Sequence, residues 1–367
     1  MNVENKKLHV VISGGGTGGH IYPAVAVAQA LQKKIPHVDI LFVGAQDRME
    51  MEKVPKAGFK IVGLWISGLQ RSLSLKNLLF PVKVIKSVLH SLRIIKEFKP
   101  DVAIGFGGYA SGSMLYAASL KKIPSVIHEQ NSYAGITNKI LKNRVDTICV
   151  AYDNMKKFFP QRKLVKTGNP IRQDLMQLND HNKEAYDHFK LNPNKKTVLV
   201  LGGSLGARTI NESVMQGLDK LTQEGVQVLW QTGKNFTQAT TLNNELVKTE
   251  QFIYEMHLAY AVADVVISRA GALTIAELAQ VKKPVILVPS PNVAEDHQTK
   301  NAMALVEREA AILVKDNEAR AVLIDECLAL MKNEAKQIQL KNNISSFAMP
   351  DAAERIVNEV LRLIENK

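Results

Sequence analysis

Residues 10–20 read VVISGGGTGGH, an apolar run that stops at a cluster of glycines. The run fits a buried strand, and the glycines fit a sharp turn from that strand into a helix. Gly14, Gly16 and Gly19 satisfy GxGxxG. Residues 197–207, TVLVLGGSLGA, repeat the device at the head of the second half. Around these two anchors short β-branched runs alternate with helical patterns. Strand candidates in the first half are Leu8–Ser13, Ile40–Val43, Lys60–Trp65, Val102–Phe106, Ser125–His128, Thr147–Val150 and Leu164–Thr167. In the second half they are Thr197–Leu201, Val226–Gln231, Gln251–Tyr254, Val265–Ser268, Val285–Val288 and Ala311–Val314. Helical patterns include Ala24–Lys34, Arg208–Leu221, Thr274–Val281, Thr299–Glu309 and a closing helix over Asp351–Asn366. The alternation predicts βαβ units and parallel sheets.

A length of 367 residues suits two such domains. The polar stretch Asn169–Asn194, with Pro170 and Pro193, separates the two runs of strands. It places the hinge near Gly168–Arg172, with 1–169 as the first domain and 170–350 as the second. Charge divides along the same line. Residues 1–170 hold 25 Lys/Arg against 10 Asp/Glu, and the remainder hold 22 against 25. The net +12 is therefore a basic half followed by a slightly acidic one, and the basic half needs an anionic partner: nucleic acid, a phosphorylated substrate or anionic lipid.

Apolar content of 46% and charged content of 22% exclude collagen-like, coiled-coil and disordered classes. Cys149 and Cys327 are too far apart in sequence to make a CxxC motif, so neither a metal site nor a disulfide framework is expected. The first residues run straight into a strand, so no signal peptide is expected. The uncharged run Val102–Leu120 is long enough to span a membrane, but Gly105, Gly107, Gly108 and Gly112 break it. It reads as strand, loop, then helix.

Phosphate chemistry is the shared theme of the loops. Free N–H groups at a helix start attract anions, and glycine lets the backbone approach them. A third loop, Ser268-Arg269-Ala270-Gly271-Ala272-Leu273-Thr274, also follows a strand. Arg269 there suits a diphosphate. Glu277, expected on an exposed first turn, suits two vicinal hydroxyls such as those of a ribose. His20 enters the first helix, whose N-terminus favours the neutral imidazole a general base requires. His128-Glu129-Gln130-Asn131 and Gly107-Gly108-Tyr109-Ala110-Ser111-Gly112 both follow strands and fit the ligand-binding rim of an open α/β sheet. Asp296-His297-Gln298 reads as an N-cap with polar neighbours. Gln70–Lys99 carries seven cations against Glu97, interleaved with more apolar residues than one buried helix face needs. Such a surface can lie on anionic lipid.

Three function classes compete. A nucleotide-sugar glycosyltransferase fits two matched α/β halves. An NAD(P)-dependent oxidoreductase lacks the acidic residue expected at the end of the second strand. A nucleic-acid-binding protein has only the charge to support it, with 6% aromatics and no RNA- or DNA-binding motif.

The motifs GGGTGGHIYPAVAVAQAL, VGAQDRME, ISGL, GFGGYASG, HEQN, GNPIR, GGSLGAR, SRAGALTIAE and DHQTKNA, with PDAAERIVNEV near the C-terminus, occur in this order. Together they resemble the MurG family, glycosyltransferase family 28. These are UDP-N-acetylglucosamine transferases of peptidoglycan lipid II synthesis. The resemblance covers nearly the whole chain. It implies a GT-B fold: two Rossmann-like, doubly wound parallel-sheet domains with an interdomain cleft, the C-terminal helix 351–367 completing the first. It implies UDP-GlcNAc and lipid I as substrates, other cell-wall synthesis proteins as candidate partners, and a peripheral place on the cytoplasmic face of the bacterial plasma membrane. No cofactor and no protein-bound metal are expected, and nucleic acid falls away as a partner.

Carried onto this chain, donor contacts fall on Thr17, Gly18, Gly19, Asn131, Arg172 and Ser204. They continue at Ile253, whose backbone would read the uracil, and at Ala272, Leu273, Thr274, Ile275, Ala276 and Glu277 along the diphosphate and ribose. Gln298 would meet the sugar. The acceptor diphosphate would sit on Gly15 and Gly16 and near Gly107, Gly108 and Tyr109. Leu205 and Ala270 depart from the family's usual Gln and Ser. His20 is the expected base, with Glu129 its rival. Leu75, Lys76, Leu79, Phe80, Lys83 and Lys86 are the expected membrane contacts.

Overall fold

The computed structural model describes residues 7–68, 79–176, 178, 180–203, 205–236, 238 and 242–365. Contacts divide the chain into two units: Met1–Ile171 with Met349–Lys367, and Arg172–Ala348.

The first unit is a seven-stranded, all-parallel sheet. Its strands are β1 (His9–Ser13), β2 (Asp39–Ala45), β3 (Lys60–Leu64), β4 (Val102–Gly105), β5 (Ser125–Glu129), β6 (Thr147–Val150) and β7 (Leu164–Lys166). They lie in the order β3-β2-β1-β4-β5-β6-β7. Helices α1 (Gly18–Lys34), α2 (Glu50–Lys56), α3 (Phe80–Phe98), α4 (Tyr109–Leu120) and α5 (Ile136–Leu141) make the crossovers. Because helices cover both faces, the inner strands read as unbroken apolar runs rather than as alternations. Val10, Val11 and Ile12 are all fully buried. The run Val102–Leu120 is indeed strand β4, a glycine turn, then α4. No helix among the described residues is long and apolar enough to cross a membrane.

The second unit repeats the plan. After α6 (Lys183–Phe189) come β8 (Thr197–Leu201), α7 (Arg208–Gln223), β9 (Gln227–Gln231), β10 (Val247–Glu250), α8 (Met256–Val262) and β11 (Val265–Ser268). Then follow α9 (Ala272–Val281), β12 (Val285–Leu287), α10 (His297–Val306), β13 (Ile312–Leu313), α11 (Ala319–Lys332) and α12 (Glu334–Ser345). The sheet order is β10-β9-β8-β11-β12-β13. The last helix, α13 (Ala352–Glu365), belongs to the first unit. There Ile356, Val357 and Val360 join the core formed by Val10, Ile12, Val27 and Leu31.

Each sheet reverses direction between its first and fourth strands. In such sheets ligands bind beyond the strands' carboxyl ends at that switch point. In the first unit the loops there follow β1 and β4. In the second they follow β8 and β11. The glycine loops at Gly14–Gly19, Gly107–Gly108, Gly202–Gly206 and Arg269–Gly271 occupy these four positions.

One strand lies elsewhere than expected. Val247–Glu250, not Gln251–Tyr254, pairs with β9. The apolar residues 252–254 carry strand propensity, but the chain has already left the ladder: Gln231 Oε1 takes the Ile253 N–H at 3.0 Å. Helix starts also lie earlier than the apolar patterns suggested, at Gly18 and Ala272, because glycine and small residues there supply the first turn.

Candidate active site

In the first unit the loop after β1 carries His20 into the first turn of α1. Its Nδ1 donates to the Gly15 carbonyl at 2.8 Å. That bond leaves Nε2 with its lone pair, the form that can accept a proton. The β4–α4 loop packs against this ring. A Cβ at Gly107 would lie 3.0 Å from His20 Nε2, and one at Gly108 would lie 2.7 Å from the Gly15 carbonyl oxygen. Both glycines have φ near +90° (94° and 86°). Close approach and left-handed backbone together demand glycine here. Gly107 and Gly108 thus close against His20 and the Gly15 carbonyl. Tyr109 stands exposed beside them, edge-on to Phe80 at 6.3 Å.

His128 lies close by, fully buried at the end of β5. One ring nitrogen faces the Gly168 carbonyl at 2.8 Å, and the other faces Gln130 Nε2 at 3.1 Å. Burial drives its pKa down from about 6.5 to about 4, and any charge on His20 would push the same way. Unfolded chain therefore binds this proton near pH 6.5 and folded chain only near pH 4. The favourable balance is complete above pH 6.5 and is lost as pH falls towards 4. The loss amounts to about 3 kcal/mol. Urea unfolding from pH 7 to 4 checks this. His128→Gln should flatten the slope by that amount, and identical slopes would contradict it.

Glu129 does not look like a base. Its Oε1 accepts from Asn131 N–H at 3.1 Å and Asn131 Nδ2 at 3.3 Å. Its Oε2 accepts from Gly135 N–H at 2.9 Å and Asn138 Nδ2 at 2.9 Å. Four donors saturate a buried carboxylate. Glu129 braces the Gln130–Asn138 loop, and Asn131 is held in place by it.

The phosphate-cradle reading of Gly15 and Gly16 needs correction. Glu50, at the start of α2 and fully buried, accepts the Gly16 N–H at 2.9 Å and the Ala45 N–H at 3.0 Å. A Cβ on Gly15 would lie 2.1 Å from its Oε1. The glycine makes room for an internal carboxylate, and the N–H meant for a phosphate is spent on it. Thr17, Gly18 and Gly19 remain at the helix entrance, which has no acidic residue in its first turn.

In the second unit α9 begins at Ala272 with no acidic residue in its first turn and no side-chain cap. Its first intrahelical bond runs from the Ile275 N–H to the Gly271 carbonyl. Leu273 and Thr274 therefore precede the ladder and offer their N–H groups to an anion. Ile275 is buried, and its N–H and that of Ala276 are internal to the helix. Of the residues expected along the diphosphate, Leu273 and Thr274 in the first turn are those whose N–H groups precede the ladder.

Arg269 is also corrected. Its Nη1 is ion-paired with Asp316 and donates to the Val288 and Pro289 carbonyls. Thr209 Oγ1 donates to the same aspartate at 2.9 Å. The charge is balanced within the fold, and Nη1 ties the loops together instead of being free for a diphosphate.

Glu277 is buried, not on an exposed first turn: it is 7% exposed, the sixth residue of α9. Arg172 Nε lies 3.4 Å from its Oε1, and Tyr260 Oη donates to its Oε2 at 3.2 Å. Burial pushes its pKa up, while Arg172 and Tyr260 pull it down. A carboxylate has about four acceptor positions, so two remain for ligand hydroxyls. Arg172 also reaches the Tyr254 carbonyl at 3.4 Å, which joins Glu277 to the loop carrying Ile253. The N–H of Ile253 is held by Gln231, so its carbonyl is the edge it can offer. Gln298 Oε1 accepts the Ser290 N–H at 2.8 Å, which turns its amide nitrogen outward as a donor. Asp296 takes the Thr299 hydroxyl at 2.7 Å instead of capping a backbone N–H. Leu205 is exposed. Ser204, Leu75 and Lys76 lie outside the described residues.

Sequence reasoning missed Glu50 and Tyr260. The available signal for Glu50 was an acidic residue just past β2. For Tyr260 it was a polar aromatic in a helix otherwise apolar except for His257, MHLAYAV. Among the described residues no group of three His, Cys, Asp or Glu could hold a metal ion.

Residues 10–150 match the glycosyltransferase family 28 N-terminal domain, and residues 197–356 match the family's C-terminal domain. A Cytophaga hutchinsonii protein is 56% identical over 362 residues, 98% of each chain. A Flavobacterium psychrophilum protein is 51% identical over 97% of this chain and 98% of its own. Both bear the name UDP-N-acetylglucosamine--N-acetylmuramyl-(pentapeptide) pyrophosphoryl-undecaprenol N-acetylglucosamine transferase. The crystal structure of Acinetobacter baumannii MurG superposes with a TM-score of 0.77 at 28% identity, covering 97% of this chain and 99% of that one. With both domain types matched in order and half or more of the residues shared along nearly the full length, the chain belongs to glycosyltransferase family 28.

Proposed function

We propose that the protein transfers GlcNAc from UDP-GlcNAc to the C4 hydroxyl of MurNAc in undecaprenyl-diphosphate-MurNAc-pentapeptide, converting lipid I to lipid II. The observation that carries this reading is the full-length identity of 56% and 51% to two transferases of that name. The local geometry agrees with it. The C4 hydroxyl attacks C1 of GlcNAc from the face opposite UDP, and His20 Nε2 takes its proton. The C1–O bond to UDP breaks, and the anomeric centre inverts to a β-1,4 link. Charge on the departing diphosphate is met by the first-turn N–H groups of α9 and by that helix's dipole. Glu277 and the Ile253 carbonyl hold the nucleoside.

Two findings speak against a dinucleotide enzyme. No acidic residue ends β2: Asp47 comes two residues past the strand and is exposed, and Glu50 at the start of α2 is buried against the Gly15–Gly16 turn rather than turned to a ribose. No acidic residue follows β9 in the second unit before Glu245. The test is thermal shift with UDP-GlcNAc, NADH and an oligonucleotide in parallel. UDP-GlcNAc alone should raise the melting temperature. Stabilisation by NADH instead would overturn the reading.

The acceptor is a lipid, and α3 supports a membrane-facing role for the first unit. Its inner face carries Ser87 and Ser91, both buried, while Val82, Ile85 and Leu89 point outward. Ile85 is 61% exposed and Leu89 60%. Val84 and Leu92 pack against the core, with Ile94 and Ile95 buried in it, so the helix carries apolar side chains on its outer as well as its inner face. Leu79 and Trp65 extend the apolar surface, and Lys83 and Lys86 lie 5.4 and 5.1 Å from the Trp65 ring centroid. Apolar side chains rimmed by lysines suit anionic lipid on the cytoplasmic face. Co-sedimentation should require anionic vesicles and weaken with salt. Lys76→Glu, Lys83→Glu and Lys86→Glu together should abolish it. Equal binding to neutral vesicles would contradict an electrostatic contribution.

A further inference from the structure

Glu50 is a fully buried carboxylate that no step of the transfer uses. Its Oε2 accepts the Gly16 N–H at 2.9 Å. That N–H belongs to the same peptide group as the Gly15 carbonyl, and the carbonyl accepts His20 Nδ1–H at 2.8 Å. The N–H and C=O of a trans peptide point in opposite directions, so carboxylate, amide and imidazole are joined in one chain. Ala45 N–H holds the other carboxylate oxygen at 3.0 Å, which fixes the near end. Gly108 packs on the Gly15 carbonyl and fixes the far end.

We propose that Glu50 is a positioning residue that acts on His20 through the Gly15–Gly16 peptide, holding the ring with Nδ1 protonated and Nε2 turned to the acceptor hydroxyl. This rests on the reading of His20 as the base. An anionic acceptor on an amide N–H polarises the amide and makes its carbonyl a stronger acceptor. As Nε2 gains a proton the ring becomes cationic at a helix N-terminus, which opposes it. The buried carboxylate offsets that opposition. The acceptor O–H bond breaks and an Nε2–H bond forms. Nδ1–H stays in place, and no proton moves to Glu50. The role parallels the aspartate of a Ser-His-Asp triad, which sets its histidine's tautomer without taking a proton. Here a peptide group stands between the two.

This arrangement also explains the glycine run in a way a phosphate cannot. A side chain at position 15 would strike Glu50 Oε1, and one at position 44 would lie 2.6 Å from Glu50 Cγ. Both glycines flank the carboxylate.

The test uses the full chain labelled with ¹⁵N-histidine. Wild type should show His20 as the Nδ1–H tautomer, and Glu50→Gln should show a tautomer mixture. Glu50→Gln should lower kcat about 10- to 100-fold, a share of the 10²–10⁴-fold a positioned base supplies, with the UDP-GlcNAc KM within about twofold. In a His20→Ala background the same substitution should cost nothing further in kcat. A wild-type Nε2–H tautomer, or losses that multiply in the double variant, overturns the proposal. If Glu50→Gln does not fold, Gly15→Ala, which displaces the carboxylate, and the wild-type spectrum decide it. Full turnover by His20→Ala would overturn the base reading instead, while the tautomer spectra still judge whether Glu50 sets the ring.

Discussion

Alanine at position 20 should lower turnover by about 10²–10⁴-fold, the contribution expected of a positioned general base, while the donor KM should change by less than about threefold. Nδ1 is tied to the Gly15 carbonyl, and Nε2 carries the lone pair. The competing carboxylate, Glu129, is closed off by four donors. His128, the other imidazole nearby, is buried with both nitrogens engaged. Glutamine at position 20 should be no better than alanine, since it can hold the Gly15 carbonyl but accepts no proton. Steady-state kinetics with saturating donor separates the outcomes. A variant within threefold of wild-type kcat would remove His20 from the chemistry.

The second large effect falls on donor binding. Glu277→Ala should raise the UDP-GlcNAc KM by about 10- to 100-fold, as expected for losing hydrogen bonds to a charged acceptor. It also strands two partners, Arg172 and the Tyr260 hydroxyl, in a largely buried place. Glu277→Gln keeps the shape and should lose less. The ribose assignment has its own signature. Wild type should discriminate against the 2′-deoxy donor, and Glu277→Ala should treat both donors alike. Burial raises the Glu277 pKa, so donor affinity should fall as pH drops and the carboxylate takes up its proton. Unchanged KM values for both donors would contradict the assignment.

The contrast between the two glycine loops shows what a sequence reveals and what it conceals. VVISGGGTGGH and SRAGALTIAE each follow a strand and open a helix, and period and composition alone locate both. They differ in what lies beneath them. Under the first sits Glu50, from a helix more than thirty residues onward, spending a backbone N–H that looked available. Beside the second, Arg269 is bound to Asp316, forty-seven residues away. Neither partner can be inferred from local pattern, because burial and ion pairing depend on where distant strands meet. Tyr260 was hidden for the same reason: its hydroxyl matters only because α9 brings Glu277 to it. The shift of β10 to Val247–Glu250 has a different origin, since aromatic and β-branched residues at 252–254 have strand propensity but a glutamine side chain captures their backbone. By contrast, the outward apolar side chains of α3 were partly visible as surplus apolar residues among lysines.

The activity proposed for the protein is sugar transfer to a lipid-linked acceptor. It is tested most directly by incubating the protein with UDP-GlcNAc labelled in the sugar and a lipid I analogue, with NADH oxidation followed as a control. Label should appear in a β-1,4-linked disaccharide lipid, with release of UDP and no NADH consumption. Release of UDP without labelled lipid, or NADH oxidation in its place, would contradict it.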